Sequence, residues 1–156
     1  MENISFPNSG TSNIIAHCLR LKPGEDLYKS IQKYVIEKQI KAGFIMTCVG
    51  SLQEINIRLA NADKFLVKKD HFEIVSLVGC IGCNDRYHLH ISVSDSEGNT
   101  KGGHLKENNI VYTTAEIVIG ELPQLSFIKV NNPGEDWPEL EIKKNNCIIY
   151  YKDFSH

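Results

Sequence analysis

At 156 residues, with 42% hydrophobic and 23% charged side chains, the chain has the balance of an ordinary globular domain, which excludes a disordered polyelectrolyte and leaves room for a core that needs no disulfide or metal staple. Its net charge of −2 and pI of about 6.3 argue against the basic face of a dedicated DNA binder, and Lys68-Lys69 and Lys143-Lys144 are short runs that read as solvated surface. No stretch approaches the roughly 18 apolar residues of a membrane span, and the opening MENISFPNSGTSN lacks the charged start and apolar run of a signal peptide.

Taken in chain order, residues 13–21 read as a strand ended by Pro23-Gly24. Leu27, Ile31 and Val35 then recur at four-residue spacing, with Tyr28 and Tyr34 flanking, which is the apolar stripe of a helix. Glu25 and Asp26 place negative charge where the helix dipole favours it, and Gly43 is a natural stop, so a helix is expected over 25–41. It is the only long helical pattern. The remainder is β-rich: strands are expected over 44–52, 54–60, 71–81, 86–95, 113–122, 126–130 and, to close, 147–151. Residues 95–103 form a hairpin loop rich in turn residues, and 131–139 a loop. One helix followed by many antiparallel strands predicts an α+β fold, with a mainly antiparallel sheet of about seven strands in a single domain spanning 1–156.

The five cysteines, Cys18, Cys48, Cys80, Cys83 and Cys147, are odd in number and scattered, so no disulfide framework is expected. Reduced thiols in a cytoplasmic protein are the simple reading. Cys80 and Cys83 form a C-x-x-C, but no second pair completes a four-thiolate zinc site, and the motif does not open a helix as redox sites of this kind do. Structural cysteines are expected.

The informative stretch is YHLHISVSDSEGNTKGGHL, residues 87–105. Side chains alternate along a strand, so His88 and His90 share one face while Tyr87, Leu89, Ile91 and Val93 point into apolar packing. The hairpin returns the chain alongside, and Gly102-Gly103 permits a close backbone approach just before His104. Three neutral imidazoles on one patch suit Zn²⁺ or another divalent transition metal, with one position left for water or a ligand. His17 is a weaker candidate on a strand, His71 is expected to start a strand at the surface, and His156 is terminal.

Three stretches in order, HFEIVSLVGCIG, YHLHISVSDSEGNTKGGHL and VYTTAEIVIGEL, resemble the PPC (plants and prokaryotes conserved) domain family. The segment from Leu19 to Ala60, with its strand, Pro-Gly, helix and VGSL strand, is similar to that family's amino-terminal half. The resemblance covers roughly residues 12–142. It implies a seven-stranded, mostly antiparallel sheet, a homotrimer, and a three-histidine metal site of the prokaryotic type, which carries over to His88, His90 and His104. Plant relatives pair the domain with an AT-hook, an Arg-Gly-Arg-Pro element that enters the minor groove. No such element occurs in these 156 residues, and the plant Gly-Arg-Phe-Glu-Ile core stands here as Asp70-His71-Phe72-Glu73-Ile74.

Two functions follow as expectations. One is a homotrimeric metal-binding domain that acts in assembly, regulation or association with DNA, with DNA contact by this chain alone expected to be weak. The other is a metal-dependent enzyme or small-ligand binder that uses the open position on a three-histidine zinc site. For an enzyme, Glu73, Asp95 and Glu116 are candidate proton-transfer groups, and Thr113 and Thr114 candidate donors behind the metal ligands.

Overall fold

Alternation of apolar and polar residues governs most of this chain, and strands are what it builds. The structure is a computed structural model and describes residues 7–61, 63–134 and 137–144. The elements run β1 (Ile15–Leu21), α1 (Leu27–Glu37), β2 (Ala42–Arg58), β3 (Phe65–Gly82), β4 (Tyr87–Ser94), β5 (Thr100–Leu105), β6 (Ile110–Glu121), β7 (Leu125–Val130) and β8 (Glu139–Lys144). Six strands form one antiparallel sheet in the order β1-β6-β2-β3-β4-β5. β5 also pairs back onto the end of β2, through Ile57 with Leu105 and Arg58 with His104. The strands β2, β3, β4 and β5 therefore close on themselves. β7 and β8 form a separate two-stranded sheet. Among the described residues, no helix is long and apolar enough to cross a membrane.

The fold class is the expected one, α+β with a mainly antiparallel sheet and one helix, but the strand inventory differs. The expected strands 44–52 and 54–60 are a single strand, β2, whose register shifts along its length break the alternation that would have joined them. β3 begins at Phe65, well before His71, and β8 occupies part of the expected loop and the residues after it. The expected closing strand 147–151 lies outside the described residues.

α1 is shorter than its apolar stripe suggested, for local reasons. Asp26 is its N-cap rather than part of its first turn: Oδ1 accepts from the backbone N–H groups of Tyr28 and Lys29 at 2.9 and 3.1 Å. Gln39 adopts a left-handed conformation (φ 56°) that ends the helical path, and Gly43 belongs to β2. The stripe itself holds, since Leu27, Ile31 and Val35 are buried. They join a core with Leu52, Ile55 and Ile57 of β2, Leu89 and Ile91 of β4, Leu105 of β5 and Ile117 and Ile119 of β6. The core therefore fills the inner side of the strands that carry the histidines on their outer side.

Candidate metal centre

β4 turns Tyr87, Leu89, Ile91 and Val93 into the core and presents His88 and His90 outward. β5 pairs with it so that His104 lies directly across from His90. This pairing needs glycine: a Cβ on Gly102 would stand 2.7 Å from the Ile91 carbonyl oxygen, and one on Gly103 2.5 Å from the Arg58 carbonyl oxygen. The expected close approach before His104 is thus present on both sides of β5.

The three imidazoles form a triangle. Ring centroids are 5.1 Å apart for His88 and His90, and 5.5 Å for each of these with His104. One ligating nitrogen from each lies within 4.8 Å of the other two, and among the described residues this is the only such group of three or more His, Cys, Asp or Glu. Three nitrogens about 2.1 Å from one tetrahedral ion would be about 3.4 Å apart, somewhat closer than these stand. His104 Nδ1 is buried and has no hydrogen-bond partner, an orphaned lone pair or N–H of the kind proteins rarely leave. Burial, then the charges of Lys106 and Arg58, push the His104 pKa down to about 4. Burial, then His90 and Arg86, lower that of His88. Both are therefore neutral at pH 7, the protonation state a metal requires.

The other sequence candidates fall elsewhere. His17 is committed within its own corner of the sheet: Nε2 donates to Glu121 Oε2 at 2.9 Å, leaving Nδ1 to accept from the Tyr34 hydroxyl at 3.1 Å. His71 sits within β3, not at its start, with its ring centroid 4.1 Å from that of Tyr112. His156 is outside the described residues. Asp95 folds into its own turn, accepting from the backbone of Glu97 and Asn99. Glu73 pairs with Ser94, four residues along β4 from His90, and Glu116 stands on β6 between Arg20 and Val49. Thr113 is bonded to Ser51 at 2.6 Å, and Thr114 accepts from Arg20. None of these five lines the space beside the histidines. No disulfide joins Cys80 and Cys83, and the Cys83 thiol donates to the Lys41 carbonyl, in keeping with structural roles.

That space is a cleft of about 510 Å³, with His88 and His104 in its wall beside Arg58, Arg86, Lys106 and Lys129. These cations went unread in the sequence. Alternation did contain a signal for two of them: Arg86 stands two residues before His88 and Lys106 two after His104, so each shares its histidine's strand parity. Arg58 comes from β2 and joins the site only because β5 closes onto that strand.

The fold and site together define a class: an antiparallel α+β domain with an outward-facing triangle of imidazoles on a hairpin. The model of the Plants and Prokaryotes Conserved (PCC) domain matches residues 9–123, and the chain belongs to that family. A hypothetical protein of Salmonella cholerae-suis is 34% identical with a TM-score of 0.84, covering 88% of this chain and 99% of that one. A metal-containing protein of Archaeoglobus fulgidus shares the fold at 21% identity and a TM-score of 0.66, covering 85% of this chain and 99% of that one. The bifunctional protein GlmU of Synechococcus sp. (strain JA-3-3Ab) is 36% identical over 134 residues, which are 86% of this chain and 21% of that protein. The chain thus spans about a fifth of the length of that relative.

Proposed function

We propose that this chain is a metal-binding module in which His88, His90 and His104 hold one divalent transition metal ion, Zn²⁺ above others, and leave one coordination position for a small ligand. The observation that carries this is the triangle itself, with its three nitrogens within 4.8 Å and the buried, unpartnered Nδ1 of His104. The metal-containing Archaeoglobus protein of the same fold supports it. When bound, the ion supplies a Lewis-acid position. The chain's own residues do the rest: the β4–β5 pairing orients the rings, burial keeps His104 neutral, and the cleft admits the ligand. Native mass spectrometry is expected to find about one metal ion per chain, and His104→Ala to lose it. Protein that carries no metal and takes up no zinc on titration would end this reading.

The same reading takes residues 1–156 as one domain with its core over about 12–142, working in the cytoplasm as a homotrimer. Support for assembly comes from the solvent side of β2 and β3, where Met46, Val49, Val75 and Val78 are each about half exposed, an apolar surface of the kind subunits cover. A ligand-binding or enzymatic role on the open metal position is favoured by one observation, the cleft. DNA is the weaker partner for this chain, because its net charge is −2 and phosphate neutralisation is what drives non-specific binding.

A further inference from the structure

The cleft beside the histidines, about 510 Å³, lies in the size range of small-ligand sites. Four cations line it, Arg58, Arg86, Lys106 and Lys129, and among the described residues none of the four is in an ion pair. Arg86 is the unusual member. It is only 7% exposed, and its Nε has no hydrogen-bond partner. A buried N–H donor without a partner is costly, and folded proteins rarely leave one unpaired. An anion in the cleft would accept from that Nε–H and balance the cations around it. Tyr28, Tyr87 and Trp137 add aromatic surface, Trp137 being 72% exposed at the rim.

We infer that this cleft binds a small organic anion, with a carboxylate or phosphate group held by Arg86, Arg58 and Lys106 and an apolar or planar remainder against Tyr28 and Trp137. Guanidinium groups match either acid through paired N–H donors. The walls also carry Asp63, Asp85 and Glu139, which oppose a long polyphosphate backbone and favour a compact ligand. The inference deepens the metal-site reading and rests on it in one respect, that the anion lies next to the open coordination position.

Trp137 is the sole tryptophan, so its fluorescence reports on the cleft. Inorganic phosphate, phenyl phosphate and benzoate, each titrated at constant ionic strength into zinc-treated and into chelator-stripped protein, are the probes. A saturable change is expected for phenyl phosphate or benzoate, tighter than for inorganic phosphate because of the aromatic wall. Lys106→Ala and Arg86→Lys are each expected to weaken it about tenfold or more, the usual effect of losing a charge-assisted hydrogen bond. Lys129→Ala, at an exposed position, keeps the test valid if a change at buried Arg86 prevents folding. No saturable response to any probe, or affinity unchanged by Lys106→Ala and Lys129→Ala, would overturn the inference. Zinc uptake is measured on the same samples. Intact uptake without anion binding sinks this inference and leaves the metal reading standing, whereas cation-dependent anion binding without uptake does the reverse.

Discussion

Burial keeps two very different side chains uncharged. His104 has its pKa pushed down to about 4, by desolvation first and by Lys106 and Arg58 next, against about 6.5 when unfolded. Between these values the unfolded chain holds a proton on this residue that the folded one does not. Stability therefore rises with pH through that window: the contribution is complete above about 6.5 and is lost as pH falls toward 4. Metal-free protein is expected to show a lower urea midpoint at pH 4.5 than at pH 7.5, and His104→Asn to flatten that difference. Cys48 is raised to about 12 by desolvation alone, so it carries almost no thiolate at neutral pH. Cys18 is exposed on β1. An alkylating reagent at pH 8 followed by peptide mapping is expected to mark Cys18 quickly and Cys48 only after denaturant is added.

At the scale of elements, α1 and β5 make separable contributions. Ile31 is fully buried under the sheet, so Ile31→Ala should cost about 2–5 kcal/mol in chemical denaturation while leaving zinc uptake in place. Gly103→Ala should do the opposite in proportion. Its new methyl would meet the Arg58 carbonyl and push β5 away from β2, displacing His104, with zinc affinity falling roughly 10–100-fold as for other supports of a metal site. The sequence was most legible where one period ran unbroken. Leu27, Ile31 and Val35 announced α1, and the alternation around His88 and His90 announced β4 and its outward face. It was least legible where pairing partners, not local pattern, decide the outcome. The bulged β2 looked like two strands, the polar run Lys68–Asp70 hid the first part of β3, and Arg58 entered the site through a ring closure that no local pattern encodes. His104 was readable from Gly102-Gly103 and the family resemblance, while the cleft cations were not.

For the whole molecule, the apolar outer face of β2 and β3 and the weak overall charge make opposite demands on partners. Covering Met46, Val49, Val75 and Val78 favours association with further copies, and sedimentation equilibrium at micromolar concentration is expected to give three times the chain mass. Val49→Lys with Val78→Lys should shift the population toward monomer by placing charges on that apolar face. Duplex DNA offers little to a chain of net charge −2. Anisotropy of a labelled duplex at physiological salt is expected to show no submicromolar binding, and a steep salt dependence there would contradict this. Avidity across a trimer is the route by which weak patches could add up, so the assay belongs on the assembled protein.

His88, His90 and His104 all belong to one hairpin, β4 and β5, whose turn is tied by Asp95 and Asn99. β2–β3 and β3–β4 are also hairpins, but β1, β2 and β6 join through partners far apart in the chain, such as Phe44 with Gly120. Short-range contacts close early and cheaply, long-range ones late. On the proposed metal reading, an ion present during refolding is expected to grip the hairpin before the sheet is assembled. Its signature would be kinetic: stopped-flow refolding faster with zinc, with the gain appearing in the folding rate and not only in slower unfolding.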